Sequence, residues 1–298
     1  MTNKTVCGYV AIVGRPNVGK STLLNGLLGQ KISITAPKPQ TTRHRLLGVK
    51  TTADIQMIYV DTPGLHRSKR NALNRHLNRT AVASIEGVDV VLWLVEALQW
   101  REEDDYVRLV LERCQQPVIL GVNKIDKVKN KAELLPYLQE VALKRTFTEM
   151  FPISAYRGDN LPALEAKMAS LLPDSVFLFP PDQITDRSSR FFAGEMIREK
   201  LIRHLAAELP YRLSVQIEHF STDENLVHIS AIIWVEKSSQ KAIVIGSHGQ
   251  QLKIIGESAR QDIEILLESK VFLQLWVKVK EKWSNNEQAL QQLGIKLP

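Results

Sequence analysis

Cysteine is nearly absent from the chain: two in 298 residues, Cys7 and Cys114, far apart and without C-x-x-C spacing. That excludes a disulfide framework or a zinc site and leaves both as small core residues. No apolar run approaches the roughly 20 residues that a spanning helix needs. Met1-Thr2-Asn3-Lys4-Thr5-Val6 leads almost directly into the first apolar segment with no signal-peptide core, so a cytoplasmic protein is expected. Internal repeats and low-complexity tracts are missing as well. Acidic excess is lacking too, since Lys+Arg number 39 against 32 Asp+Glu, a formal charge of +7. The whole excess lies in the first 181 residues, because 182–298 carry 15 of each sign. Within 38–79, nine basic residues (Lys38, Arg43, Arg45, Lys50, Arg67, Lys69, Arg70, Arg75, Arg79) face only Asp54 and Asp61. Such a run is either a solvated face or a contact for phosphate in a nucleotide, RNA or lipid headgroups.

What the sequence does have is organised around Gly14-Arg15-Pro16-Asn17-Val18-Gly19-Lys20-Ser21, a match to G-x-x-x-x-G-K-[ST]. Tyr9-Val10-Ala11-Ile12-Val13 before it is an apolar, β-branched run that predicts a buried strand. The residues after it, through Leu28, predict a helix. A glycine turn before an ordinary helix would share part of this pattern, but strand, glycine loop and helix in that order form the context of a phosphate-cradling loop. Its backbone N–H groups and helix N-terminus would surround phosphate oxygens. Gly14, Asn17, Val18, Gly19, Lys20, Ser21 and Thr22 are the residues expected to hold it. Lys20 would reach the β- and γ-phosphates, and the Ser21 hydroxyl would bind Mg²⁺.

Strand-like and helix-like segments alternate through residue 172: strands over 45–51, 54–61, 88–95, 118–122 and 151–154, helices over 73–84, 106–114, 134–147 and 161–172. Alternation of this kind predicts an α/β domain with a mostly parallel sheet and helices on both faces. Phe177-Leu178-Phe179-Pro180-Pro181-Asp182-Gln183 reads as a connection. The expected division is 1–176, a linker over 177–187, and 188–298. The last part reads as a helix (190–207), two strands (211–220 and 226–235), a short helix to 245, a glycine loop, a longer helix (251–268) and a strand (271–279). That αββααβ order makes a smaller α+β unit.

Two further sets sit at predicted strand ends. Asp61-Thr62-Pro63-Gly64 offers a carboxylate for Mg²⁺ and a glycine N–H for a γ-phosphate. Asn123-Lys124-Ile125-Asp126 names the base. A carboxylate at Asp126 can accept from guanine N1–H and N2–H₂ together, whereas adenine would leave it desolvated and unpaired, a discrimination of about 10⁴-fold. Asn123 would tie this loop to the base and the phosphate loop, the Lys124 stem would lie over the ring, and Ser154-Ala155 amides would meet guanine O6.

These three sets in this order resemble the translation-factor class of P-loop GTPases over about residues 8–172. The resemblance implies a Thr from the first mobile loop, within 31–42, that completes the Mg²⁺ shell when the γ-phosphate is present. Thr42 is favoured, and Thr41 remains open. Lys20, Thr42 and Gly64 become the catalytic candidates, with Ser21, Thr42 and Asp61 as the Mg²⁺ set. Leu65 stands where Ras-like proteins carry a water-orienting Gln, which implies slow hydrolysis or another group. Asn17 resembles the residue that helps bind K⁺ near the phosphates in some of these GTPases.

In the last part, Gly246-Ser247-His248-Gly249 is a G-x-x-G between two predicted helices. The motif is weak alone, since Gly26-Leu27-Leu28-Gly29 satisfies it too. The αββααβ frame resembles a KH domain of the second type, whose glycine loop clamps an RNA backbone. Lys241, Lys253 and Arg260 would supply charge, and His248 reads as a phosphate contact or a solvated loop residue. Ile243, Ile245, Ile254 and Ile255 are expected in the core, with an apolar bed under the bases as the other use. A GTPase domain followed by such a domain, continuing through Leu275-Trp276-Val277-Lys278-Val279-Lys280 and Trp283, resembles the Era family of ribosome-assembly GTPases. Membership implies a monomer that uses GTP/GDP, Mg²⁺ and K⁺. It also implies binding to the 3′ end of 16S ribosomal RNA, a role in 30S subunit maturation, and a cytoplasmic location with peripheral inner-membrane association. Against a P-loop kinase or metabolic NTPase stand the guanine-reading Asn123–Asp126 set and the lack of a substrate-sized insertion; a membrane-associated signalling GTPase without a specific RNA target is the alternative reading.

Overall fold

The computed structural model describes residues 5–36, 38, 41–66, 72–205, 209–293 and 295. Arg67, Lys69 and Arg70 of the basic stretch, parts of the 31–42 loop, residues 1–4, the end of the helix expected over 190–207 and most of 294–298 lie outside them.

The first unit runs β1 (Val6–Val13), α1 (Lys20–Leu28), β2 (Leu46–Thr51), β3 (Ile55–Asp61), α2 (Ala72–Ala83), β4 (Val90–Glu96), α3 (Glu102–Leu111), β5 (Val118–Asn123), α4 (Leu134–Ala142), β6 (Glu149–Pro152) and α5 (Leu161–Ala169). Its six-stranded sheet has the order β2-β3-β1-β4-β5-β6. All neighbours are parallel except β2 and β3, which are antiparallel. The strands are apolar at nearly every position because both faces are covered. Along β1, Val10 and Ile12 enter one core with Leu23, Leu24 and Leu164, while Ala11 and Val13 enter the opposite one with Trp93, Val107 and Val141. The carboxyl ends of β1, β3 and β5 lie together where the chain order reverses, the usual ligand position in such sheets.

The second unit is α6 (Ser189–His204), β7 (Leu213–Asp223), β8 (Leu226–Val235), α7 (Ser238–Ile245), α8 (Gln250–Leu267), β9 (Lys270–Val279) and α9 (Glu287–Gln292). Its sheet has the order β7-β8-β9, with β7–β8 antiparallel and β8–β9 parallel. Its core joins Ala193, Ile197 and Leu201 of α6 to Val244, Ile255, Ala259 and Ile263 of α7 and α8 and to the inward residues of the strands. Ile255 is fully buried there, but Ile243 and Ile254 are 57% and 46% exposed, against the core placement expected of them. One helix face cannot bury neighbours in sequence, so Ile255 takes the core position and Ile254 is turned out.

The segment expected as a linker is docked. Leu178 and Phe179 N–H donate to Gln56 Oε1 (2.8 and 3.0 Å), and Val49 N–H donates to the Ile184 carbonyl (2.9 Å), covering the free edge of β2. Phe191 and Phe192, at the start of α6, pack on the core of the first unit. The chain after β9 is also anchored. Trp283, Ala289, Leu290, Leu293 and Ile295 bury against Ala72, Leu73 and Leu77 of α2, and Asn286 caps α9 by accepting from Ala289 N–H at 3.0 Å.

Candidate functional site

At the end of β1 the chain turns through Asn17 (φ 62°) and Gly19 (φ 105°) into α1. Glycine is required at 19, because a Cβ there would lie 2.3 Å from Asn123 Nδ2. The first-turn amides of α1 have no intrahelical acceptor and open on a cavity of about 290 Å³ lined by Asn17, Gly19, Lys20, Ser21, Thr22, Thr42, Gly64 and Lys124, among others. Lys20 is 6% exposed, and its Nζ donates to the Gly14 and Arg15 carbonyls at 3.1 and 3.0 Å. Burial pushes its pKa down to about 8, with the nearby Asp61 carboxylate opposing the shift. Arg15 points away from the cavity, bonded to Asp104 and Glu96 at 3.0 Å each.

Ser21, Thr42 and Asp61 converge. Ser21 Oγ lies 2.8 Å from Thr42 Oγ1 and donates to Asp61 Oδ2 at 3.1 Å, and Thr42 Oγ1 is 3.5 Å from the same oxygen. Asp61 is fully buried. Burial raises its pKa, offset by Lys20 and the hydroxyl donors. Its Oδ1 has no hydrogen-bond partner. Two hydroxyls and one carboxylate with an oxygen to spare fit Mg²⁺, which keeps waters and phosphate oxygens in its shell. Among the described residues there is no cluster of three or more His, Cys, Asp or Glu that could hold a metal. Thr41 is turned elsewhere, its Oγ1 donating to the Lys38 carbonyl at 2.7 Å. Two contributors escaped the sequence reading. Ser33 Oγ donates to Asp61 Oδ2 (2.9 Å), and Asn25, inside α1, holds residues 32 and 33 through both ends of its amide. An amide at mid-helix, unfavourable there unless bonded, was the available signal.

Past β3, Leu65 is fully buried in the core, and its N–H donates to the Gly14 carbonyl at 3.2 Å. His66 follows, with its N–H held by Asn78 Oδ1 (2.8 Å) and its Nε2 buried without a partner. Burial, and then the Lys20 charge, pushes its pKa down to about 4, leaving a neutral ring. Its position next to Leu65 was the only sequence clue.

On the other side, Asn123 is 2% exposed, and its side chain joins two loops. It donates to the Val18 carbonyl at 2.7 Å and accepts from Ala155 N–H at 2.9 Å. Ser154 Oγ donates to Asp126 Oδ1 at 2.6 Å, while Ser154 N–H donates to the Asp159 carbonyl at 3.2 Å. Both amides expected at guanine O6 have protein partners here, and the two residues position Asn123 and Asp126. Lys124, at φ 68°, pairs with Glu96 at 2.9 Å. Burial opposes ionisation of Glu96, but Lys124 and Arg15 outweigh it and hold the carboxyl below its usual range.

Part of the basic stretch is engaged inside the protein, while Arg45 and Arg79 stay exposed. Lys38 donates to the Ile202 carbonyl (3.0 Å) and to that of Leu205, and Lys50 pairs with Glu165 at 2.5 Å. Arg43, 2% exposed, donates to the Leu213 and Pro210 carbonyls at 2.7 and 3.1 Å, with its guanidinium 5.9 Å from the Trp283 ring. Burial and the neighbouring Arg198 push its pKa down to about 9. Arg198 in turn donates to the Thr41 carbonyl, and Glu199 takes both Lys31 Nζ (2.6 Å) and Thr35 N–H (3.2 Å). Lys31, Lys38, Arg43 and Arg198 fasten the loop before β2 to the second unit, whereas Lys50 pairs within the first unit.

In the second unit, Gly246 (φ 73°) and Gly249 (φ 77°) bracket a tight turn of Ser247 and His248. A Cβ on Gly246 would meet Gln251 Cβ at 2.6 Å, whereas nothing lies within 4 Å of one on Gly249. Beside the turn, Gly249, Leu252, Lys253, Gly256, Arg260 and Leu275 line a groove of about 320 Å³ between α8 and β9. Lys253 is 76% exposed and only loosely paired with Glu257 (3.9 Å), but Arg260 is bonded to Glu264 at 2.9 Å. Lys241 is exposed on α7, outside the groove lining.

Comparison with known proteins adds relatives to this geometry. Residues 9–124 match the family model described as 50S ribosome-binding GTPase, and 208–284 match that of the KH domain. GTPase Era of Pseudomonas putida strain F1 is 55% identical over 98% of this chain and 98% of its own. GTPase Era of Azotobacter vinelandii is 54% identical over 99% and 98%. Among solved structures, an Era variant from Aquifex aeolicus bound to GDP·AlF4⁻ superposes with a TM-score of 0.94 at 39% identity, covering 98% of this chain and all of that one. Era in complex with MgGDPNP and nucleotides 1506–1542 of 16S ribosomal RNA does so with a TM-score of 0.95 at 40% identity, over the same shares.

Proposed function

The chain belongs to the Era family of GTPases, and from that premise we propose a GTP-hydrolysing switch that binds the 3′ end of 16S ribosomal RNA and assists 30S subunit maturation. One observation carries the switch part of this reading. Thr42 stands beside Ser21 and Asp61 at the Mg²⁺ position, while its neighbours Thr41 and Arg43 are bonded to the second unit. A change at the γ-phosphate would therefore be felt where the RNA-binding unit is attached.

In this reading the amides of residues 14–22 and the Lys20 ammonium surround the phosphates, and Gly64 N–H faces the γ-phosphate. Mg²⁺ bound by Ser21, Thr42 and Asp61 supplies charge neutralisation at the phosphate oxygens. Asp126, held by Ser154, accepts from guanine N1–H and N2–H₂, and Asn123 keeps the base and phosphate loops in register. Leu65 cannot orient the attacking water, so turnover is slow. His66, next in sequence to Leu65 and with a buried Nε2 that has no partner among the described residues, is the polar group proposed for that water, although it does not line the cavity. The Asn17 side chain is the assigned K⁺ ligand. In the second unit, Gly246 to Gly249 hold the RNA backbone, with His248, Lys241, Lys253 and Arg260 as phosphate contacts, and the α8–β9 groove takes bases. The same reading keeps 1–176 and 188–298 as the GTPase and KH domains and 177–187 as their connection. It describes a monomer working in the cytoplasm with peripheral inner-membrane contact. Among the described residues no helix is long and apolar enough to cross a membrane.

The test is filter binding of a 16S 3′-end oligonucleotide with GDP or a non-hydrolysable GTP analogue, beside GTP turnover in K⁺ and Na⁺ buffers. Saturable, sequence-preferring binding that depends on the nucleotide is expected, with faster turnover in K⁺. Binding indifferent to sequence and nucleotide would point to a signalling GTPase without an RNA target, and equal turnover in both salts would remove Asn17 from a K⁺ site.

A further inference from the structure

The face of the second unit's sheet turned away from its helices is not used by this reading. In β9, Val271 and Val277 are buried in the core with Leu273 and Leu275 packed against it, so Phe272, Gln274, Trp276 and Lys278 project from the other side. The parallel register sets them beside His228, Ser230, Ile232 and Trp234 of β8. Phe272 is 50% and Trp276 43% exposed. The Phe272 ring sits 5.7 Å from that of His228, and the Lys278 and Lys280 ammonium groups lie 6.0 and 5.9 Å from the Trp234 ring. On this face Ile232 is buried and Trp234 packs against the C-terminal cluster, so Phe272 and Trp276 are the large rings left half in water, costly there and unused by the core.

We infer that this face, with Phe272 and Trp276 as the rings, is a second contact for single-stranded RNA that stacks bases passing over the edge of β9. Three features select that occupant. Residues 270–282 carry Lys270, Lys278, Lys280 and Lys282 against Glu281 alone, so the strand suits a polyanion. Phe272 and Trp276 are four residues apart, roughly 13 Å along a strand, too far to clamp one base and suited to stacking two of one chain. Base-on-ring stacking with flanking cations is how open sheets hold single strands without fixed sequence. Finally, β9 is the edge strand, and its opposite face, at Leu275, lines the α8–β9 groove. A strand leaving that groove meets the aromatic face next. The proposal rests on the groove being an RNA site.

The experiment uses the full chain and fluorescein-labelled 16S 3′-end oligonucleotides of increasing length, with GTP turnover as the control for folding. Trp276→Leu and Phe272→Leu keep apolar volume without a stacking ring. Each is expected to weaken binding of the longer oligonucleotides roughly 5- to 100-fold and to leave the shortest, groove-filling ones and GTP turnover unchanged. Trp276→Tyr should bind nearly as wild type. Lys278→Gln should flatten the salt dependence by about 0.7 in log–log slope. If the Leu variants bind long and short RNA as wild type does, or if Leu and Tyr behave alike, the stacking face is wrong while the groove reading stands. If wild type binds no oligonucleotide at any length, the groove reading itself has failed. Loss of vesicle pelleting in the Leu variants with RNA binding intact would overturn the proposal in favour of a lipid surface.

Discussion

Replacing Arg43 by Met tests whether the nucleotide site and the second unit are joined through this side chain. The guanidinium is buried and makes two charge-assisted hydrogen bonds, to the Leu213 and Pro210 carbonyls. Each is worth about 1.5–3 kcal/mol net, and losing both leaves two acceptors without donors. Part of that is returned, because a buried cation near Arg198 is itself costly, as its lowered pKa of about 9 records. The net loss at the interface is then about 2–4 kcal/mol, felt only in conformations where the contact is formed. Coupling energies between sites typically run about 1–3 kcal/mol, or 5- to 150-fold in affinity. The assay is RNA affinity with GDP against a non-hydrolysable GTP analogue, in wild type and Arg43→Met. The ratio of the two affinities should move towards one in the variant, while GTP affinity stays close to wild type because Thr42, not Arg43, lines the cavity. Arg43→Lys, with charge but no planar fork, should fall between. An unchanged ratio would refute this coupling route. A parallel loss of GTP affinity would mean that Arg43 shapes the pocket instead.

Four further outcomes are expected. Asp126→Asn should weaken GTP binding by two or more orders of magnitude, on the order of a lost charge-assisted pair, and improve xanthine nucleotide binding by calorimetry. Gly249→Asp should abolish RNA binding and cost about 1–2 kcal/mol in stability, because its Cβ enters open space but the left-handed backbone (φ 77°) strains any side chain, whereas Gly246→Ala adds the Gln251 clash to the same strain and should cost about 1–3 kcal/mol more. Lys20, with a folded pKa of about 8 against 10.5 unfolded, binds fewer protons folded than unfolded between those values. It should therefore make the nucleotide-free protein more stable as pH rises from about 8 to 10.5. Over the same window GTP affinity should fall, and binding should take up a proton, which calorimetry in buffers of different ionisation enthalpy detects. His66→Ala should lower kcat for GTP about 10-fold or more without raising KM, and with its folded pKa near 4 the wild-type profile should show no histidine titration between pH 5 and 8.

Local pattern carries much of this protein. Short-range chemistry dictates the glycine loop between β1 and α1, the strand ends at Asp61 and Asn123, and the αββααβ order after residue 188. Apolar period, turn residues and motif spacing all act within about ten residues. Asp126 named guanine and Leu65 removed the usual water-orienting group for the same reason, since each is read within its own motif.

Tertiary structure decided what depends on residues more than a hundred positions apart. Asn123 holds Val18, Lys38 and Arg43 bond to carbonyls of the second unit, and Gln56 takes the amides of the supposed linker. A cation read along the chain looks like a solvated face, and only packing shows that its partner is a buried carbonyl. In the same way Ile255 is core and Ile254 is not, and Phe272 and Trp276 became a face only when β8 and β9 paired in register. Sequence spacing fixes which side of a strand a residue takes, but whether that side is covered depends on elements placed there by the rest of the chain.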